Sequence, residues 1–158
     1  MFTIQEYKRG LIPLSALIEF LRKIDQEVIP PISSRTQIEE YIQKILTNGI
    51  MLIAMHGDSL LGLCGFYCND YKSKVAFLTT IGVSPSCRNK GVASLLIKEA
   101  IANAREHGMQ TMRLETSPYN IKAQSLYKKH GFSEYKHPVG VNGQPSSIIL
   151  ECKLVDTE

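Results

Sequence analysis

The hydrophobic pattern of this chain alternates between two periods, which predicts a mixture of helices and strands. Apolar residues recur at spacings of three and four in four segments, which predicts helices at about residues 13–29, 34–48, 92–107 and 120–130. Shorter apolar or alternating runs predict strands at about residues 2–8, 51–55, 60–68, 75–83, 112–116, 132–141 and 144–154. The predicted element order is therefore β-α-α-β-β-β-α-β-α-β-β.

This order predicts an α/β (α+β) fold with one mixed sheet. The three strands between residues 51 and 83 follow each other through short turns and are expected to be antiparallel. The helix at 92–107 then connects two strands as a right-handed crossover, so the strands at 75–83 and 112–116 are expected to be parallel neighbours. With 158 residues, we expect a single domain, residues 1–158.

Several local signals refine the boundaries. Pro13 is expected at the first position of the first helix, and Ser34 with Gln37 matches a capping box for the second. Gly82 inside an apolar strand is typical of a β-bulge or of a close approach by another segment. Asn-Gly at 142–143 predicts a hairpin turn between the last two strands.

Composition and charge narrow the function classes. The net charge of +3, without a like-charge run longer than two residues, argues against nucleic acid as a partner and suits an anionic small ligand. No apolar run approaches ~18 residues and no signal peptide is apparent, so we expect no membrane partner and a cytoplasmic location. The four cysteines have no zinc-site spacing, and we expect free thiols and no metal.

The loop at residues 83–93 is the strongest candidate for a ligand site. An apolar strand leads into it, a helix leads out of it, and Arg88, Gly91 and Ala93 lie between them in an Arg-x-x-Gly-x-Ala pattern. A strand–loop–helix of this kind directs backbone N–H groups and a helix N-terminus at one point, where a phosphate group is favoured.

With further pieces downstream, the chain resembles the GCN5-related N-acetyltransferase (GNAT) superfamily over about residues 75–135. The matching pieces are residues 81–85, 88–93, Leu114-Glu115, Asn120-x-x-Ala123-x-x-x-Tyr127 and Gly131-Phe132. The resemblance implies a GNAT-like sheet whose central strands are splayed to bind coenzyme A. It also implies an acyltransferase that moves the acetyl group of acetyl-CoA, its co-substrate, to a primary amine by direct transfer in a ternary complex.

The resemblance also assigns the coenzyme contacts. Strand-like pairing with the pantetheine arm is implied for Ile81, Gly82 and Val83. The pyrophosphate would be held by the loop residues Arg88, Asn89, Lys90, Gly91, Val92 and Ala93. Asn120 and Tyr127 would complete the coenzyme site. On sequence alone an ordinary helix N-cap is the favoured interpretation of Asn120, and both roles can hold together.

Three catalytic roles follow from the resemblance. The Val83 amide would polarise the thioester carbonyl. Tyr127 would protonate the departing thiolate, and the competing interpretation is an aromatic core residue. Glu115 would be the general base. The base is sought there because the strand at 75–83, which carries it in many family members, has no carboxylate in this chain. The alternatives are that Glu115 is a solvated strand residue and that a chain of waters takes the proton.

The acceptor remains open from the sequence. The family's acceptor site corresponds to about residues 24–34, 117–119 and 136–145, where Asp25 and Glu27 could attract a cationic amine or be merely solvated. The amine could belong to a small molecule or amino sugar, or to a protein N-terminus. An acetyl-CoA-binding regulatory module with little catalysis is the alternative function, and a homodimer is a possible assembly.

Cys87 allows two interpretations. A thiol beside a basic residue and a helix N-terminus could form an acyl-cysteine, but a bystander role is favoured because no second base is apparent.

Overall fold

The computed structural model describes residues 1–27, 31–136 and 147–155. The helices are α1 (Leu14–Asp25), α2 (Ile38–Asn48), α3 (Val92–Glu106) and α4 (Ile121–Lys129), with 3-10 turns at Ile32–Ser34 and Pro85–Cys87. The strands are β1 (Thr3–Glu6), β2 (Ile50–His56), β3 (Ser59–Tyr67), β4 (Val75–Val83), β5 (Thr111–Thr116), β6 (Ser133–Lys136) and β7 (Ile148–Lys153). The predicted order of helices and strands is confirmed.

The strands form one mixed sheet in the order β1-β2-β3-β4-β5-β7-β6. β4 and β5 are parallel, and the other neighbours are antiparallel. The register between β4 and β5 covers only Val75–Phe77 against Thr111–Arg113. Beyond these three pairs the two strands separate, which leaves a wedge-shaped opening in the middle of the sheet.

Each face of the sheet carries its own apolar core. On one face α1 and α2 pack their apolar stripes, which include Leu17, Leu21 and Ile42, against β2 and β3. On the other face α3 packs against β2, β3 and β4, and the second core continues over β5, β7 and α4 and includes Leu114. Because side chains alternate along a strand, Glu115 is directed to the α1/α2 face.

Two predicted helix starts are wrong by a few residues. Pro13 precedes α1 as its N-cap, because its ψ angle of 142° is extended. The capping box at Ser34 is not formed: the Ser34 hydroxyl donates to the Pro31 carbonyl (2.6 Å), and α2 begins at Ile38 without a side-chain cap. The predicted hairpin turn at 142–143 lies outside the described residues.

Gly82 marks a close approach and not a bulge. It pairs regularly with Leu63, whereas the register shift against β3 falls between Leu78 and Thr80. A Cβ built on Gly82 would lie 2.0 Å from Cδ1 of Ile24. The absence of a side chain at this position therefore lets α1 lie directly on β4.

Within the described ranges, none of the helices combines the length and apolar composition required to cross a membrane. The same residues contain no group of three or more His, Cys, Asp or Glu side chains that could hold a metal ion.

Candidate active site

A cleft of about 900 Å³ occupies the opening between β4 and β5. The end of β4, the loop before α3 and the first turn of α3 form one wall, and the end of β5 with α4 forms the other. Residues near the end of α1 line the rim, so the cleft is reached from both faces of the sheet.

The edge of β4 presents backbone groups to this cleft. The Ser84 amide donates to the Leu61 carbonyl of β3 (2.8 Å), and Val83 is opposite Gly62 in the register. Hydrogen-bonded and non-hydrogen-bonded pairs alternate in an antiparallel ladder, so the N–H and C=O groups of Val83 and Ile81 are directed away from β3. They face the side on which β5 has separated.

The loop before α3 directs further N–H groups toward the cleft. Asn89 and Gly91 have φ angles of 62° and 83°, and Gly91 precedes α3 without a side-chain cap. The first bond of the helix joins the Leu95 amide to the Gly91 carbonyl (3.1 Å). The amides of Val92 and Ala93 precede it in the first turn, so they have no acceptor within the helix and are available to an anion.

The remaining predicted loop residues differ in their placement. Arg88 and Asn89 line the cleft. Lys90 is exposed and does not line it. The guanidinium of Arg88 forms an ion pair with Glu27, just beyond α1, and its Nε donates to the Val83 carbonyl (3.2 Å). Arg88 therefore connects the loop to the other side of the cleft mouth.

The start of α4 is fixed by Asn120. Its side-chain oxygen accepts a hydrogen bond from the Ala123 amide (3.2 Å), which confirms the N-cap interpretation. Asn120 and Ala123 both line the cleft. The predicted contact between Asn120 and the coenzyme stays a prediction.

Tyr127 lines the cleft from α4 and is 8% exposed. Its ring meets Phe132 edge-on at 5.9 Å between centroids. Burial, with a smaller contribution from the Cys64 thiol, raises the pKa of the Tyr127 phenol far above its ordinary value. Because its pKa is raised, the phenol remains protonated. Its hydroxyl makes no hydrogen bond to any described residue and is therefore available as a donor.

Glu115 reaches the cleft from the opposite face of the sheet. It is exposed, and one carboxylate oxygen accepts a hydrogen bond from the Ser147 hydroxyl at 2.5 Å. Both residues line the cleft. The arrangement brings the proposed base and the proposed acid, Tyr127, to one cavity from two sides.

Sequence reasoning missed the role of Asp25. This carboxylate is 1% exposed and accepts hydrogen bonds from the amides of Ile32 (2.6 Å) and Ser33 (3.3 Å) and from the Ser33 hydroxyl. Its oxygens are therefore occupied in fixing the 3-10 turn after α1, and the expectation that Asp25 attracts an amine is wrong. No local sequence pattern predicts this contact, because Ile32 and Ser33 are seven and eight residues from Asp25 along the chain.

Comparison with known proteins agrees with this site. The family model described as "Acetyltransferase (GNAT) family" matches residues 15–132. An uncharacterized N-acetyltransferase of Bacillus subtilis is 28% identical over 101 residues, which are 61% of this chain and 68% of the relative. The [ribosomal protein bS18]-alanine N-acetyltransferase of Haemophilus influenzae is 33% identical over 86 residues, which are 50% of this chain and 57% of the relative.

Solved structures show the same fold. A GNAT acetyltransferase from Staphylococcus aureus Mu50 has a TM-score of 0.78 at 22% identity, covering 98% of this chain and 100% of its own. One from Elizabethkingia anophelis, solved with acetyl-CoA bound, has a TM-score of 0.70 at 19% identity, covering 96% of this chain and 97% of its own. The family match spans most of the chain and includes the cleft, and the chain therefore belongs to the GNAT family of acetyltransferases.

Proposed function

We propose that this protein transfers the acetyl group of acetyl-CoA to a primary amine, directly and within a ternary complex. The observation that carries the proposal is the separation of β4 from β5 beyond three register pairs. This separation exposes the edge of β4, the N-terminus of α3, Tyr127 and Glu115 to one cleft. A strand edge and a helix N-terminus side by side fit an elongated ligand with amide groups at one end and phosphates at the other.

The chain's own groups would divide the coenzyme between them. The N–H and C=O groups of Ile81 would pair with the pantetheine arm, next to Gly82. The Val83 N–H would face the thioester, because the Val83 carbonyl already accepts a hydrogen bond from Arg88. The amides between Arg88 and Ala93 would hold the pyrophosphate, with Asn89 and Gly91 giving the loop its shape. The side chain of Lys90, a residue that does not line the cleft, would contribute only its charge.

The chemistry requires one donor, one acid and one base. Acetyl-CoA supplies an activated acetyl group, and a C–N bond forms as the C–S bond breaks. The Val83 N–H would stabilise the charge that develops on the carbonyl oxygen. Tyr127 would give its proton to the departing sulfur, and Glu115 would take the proton of the attacking amine, directly or through water.

The acceptor is proposed to enter from the α1/α2 face, where Glu115 lies. A protein N-terminus is one proposed acceptor class, since one relative at 33% identity is named a [ribosomal protein bS18]-alanine N-acetyltransferase. Small-molecule amines and amino sugars are the competing class. The cytoplasmic location and a homodimer stay predictions.

The proposal is tested with an acceptor panel. Release of free thiol from acetyl-CoA would be measured with Ala-, Ser- and Met-initiated peptides, polyamines and amino sugars, each against its N-acetylated form as the unreactive control. We expect turnover with a free amine and none with the blocked form. Calorimetry that shows no binding of acetyl-CoA would overturn the proposal, whereas binding without turnover on any amine would favour the regulatory module.

A further inference from the structure

The contact between Ser147 and Glu115 is a fixed feature of the cleft. Ser147 immediately precedes β7, whose register places Ile148 opposite Thr116 and Ile149 opposite Glu115. Six consecutive pairs join β5 to β7, so the backbones that carry the two side chains are held together. The Ser147 hydroxyl donates to Oε2 of Glu115 at 2.5 Å, and both residues line the cleft.

This contact has a consequence for the carboxylate. The side chain of an exposed glutamate rotates about three bonds. Restricting it to the one rotamer that a reaction needs costs conformational entropy. A hydroxyl that donates to a carboxylate makes a strong, charge-assisted hydrogen bond and fixes one oxygen. Because Ser147 occupies Oε2, the second oxygen, Oε1, is left to accept a proton.

We propose that Ser147 is a positioning residue for the general base. It holds Glu115 in one rotamer, so that Oε1 receives the proton of the attacking amine while the hydroxyl proton stays on the serine. The inference rests on the proposed function of Glu115, since a serine that orients a carboxylate has a kinetic effect only if that carboxylate takes part in the reaction.

The test is a double-mutant cycle on the full chain with the best amine of the acceptor panel. We expect Ser147→Ala to lower kcat about ten-fold, because Glu115 loses a hydrogen bond to its charged group. The KM for acetyl-CoA should stay within about two-fold of the parent value, because the lost bond lies beside the reacting amine and not beside the coenzyme. Ser147→Thr keeps the hydroxyl and is expected to restore kcat to within about three-fold of the parent. In the Glu115→Gln background, Ser147→Ala should change kcat by less than about two-fold.

Ser125→Ala, which removes an exposed hydroxyl on α4, is the matched control and should leave kcat unchanged. Thermal unfolding of each variant separates a loss of folded protein from a loss of kcat. An unchanged kcat in Ser147→Ala, or an equal loss in both backgrounds, overturns the positioning role while the base role of Glu115 stands. If Glu115→Gln itself keeps the parent kcat, the proposed base is wrong, and the inference fails with it.

Discussion

The guanidinium of Arg88 forms an ion pair with the carboxylate of Glu27 across the mouth of the cleft. The two side chains are 35% and 50% exposed, and Arg88 also donates from Nε to the Val83 carbonyl (3.2 Å). An ion pair this exposed contributes only about 0–1 kcal/mol to folding. Its effect is therefore expected on ligand binding, since Arg88 belongs to the loop proposed to hold the pyrophosphate.

Neutralising Glu27 should tighten the binding of acetyl-CoA. In Glu27→Gln, Arg88 no longer has an anionic partner, and one negative charge is removed from the rim where an anionic ligand would arrive. We expect the Kd to fall about two- to five-fold at low salt, with a smaller gain at about 0.3 M salt, where charges are screened over shorter distances. Calorimetric titration at both salt concentrations measures the change.

Glu39→Gln is the control for this prediction. It removes the carboxylate of a second exposed ion pair, with Arg22, and Glu39 does not line the cleft. The Kd of this variant should match that of the parent. Weaker binding in Glu27→Gln would instead mean that the ion pair holds the loop in its binding conformation.

Gly82→Ala should destabilise the fold. The added Cβ would lie 2.0 Å from Cδ1 of Ile24, so this 3% exposed side chain would have to turn away, toward the cleft that it lines. We expect the free energy of unfolding to fall by about 1–3 kcal/mol, as for other overpacked cores. Urea unfolding at constant m-value measures the loss.

The partner in this clash can be removed separately. Ile24→Val lacks the Cδ1 atom, so Gly82→Ala in that background should cost less than in the parent, with a coupling of about 1 kcal/mol. Additive losses would show that the cost at Gly82 comes from the backbone and not from Ile24.

The order of the helices and strands was predictable because it depends on periodicity. Leu17 and Leu21 on α1 repeat at helical spacing, and continuous apolar runs mark β2 and β3, which are covered on both faces. The coenzyme wall could be proposed from the sequence because the loop before α3 is a continuous stretch with its own motif, and it stays a prediction.

Contacts between distant segments were not predictable. Ser147 is thirty-two residues from Glu115, and Arg88 is sixty-one from Glu27, so only the sheet register and the packing of α1 bring them together. The role of Gly82 was half predicted: the missing side chain signalled a close approach, but its partner, Ile24, lies on an element fifty-eight residues earlier in the chain.

Tyr127→Phe should separate catalysis from packing. The ring and its edge contact with Phe132 remain, and only a hydroxyl without a hydrogen bond to the described residues is lost. We expect kcat to fall about 10²-fold with the free energy of unfolding unchanged within about 0.5 kcal/mol. Steady-state kinetics and urea unfolding of the same preparation test both parts.

Tyr71→Phe, at a position that is 65% exposed and does not line the cleft, is the matched control and should keep the parent kcat. A Tyr127→Phe variant with normal turnover would reduce Tyr127 to a core aromatic. Because burial raises the pKa of Tyr127, the parent kcat should also show no loss from its ionisation below about pH 10.

His130 should make the fold less stable in mild acid. Its Nε2 lies 3.0 Å from the Ser94 hydroxyl at the start of α3, which joins the two helices beside the cleft. Partial burial, and then the positive charges of Lys129 and Lys98, lower the pKa of His130 below its ordinary value of 6.5. The unfolded chain therefore binds a proton first as the pH falls.

The sign of the pH dependence follows from this difference. Well above pH 6.5, His130 is neutral in both the folded and the unfolded chain, and the stability has its full value. As the pH falls through about 6.5, the unfolded chain binds the proton first and the stability decreases, until the pH has passed the lower pKa of His130 in the folded chain. His130→Gln keeps a partner for Ser94 but cannot titrate. Urea unfolding at about pH 7.5 and pH 5 should show the parent losing more stability than this variant. Equal losses would mean that other groups cause the acid sensitivity, because the variant has no titrating side chain at this position.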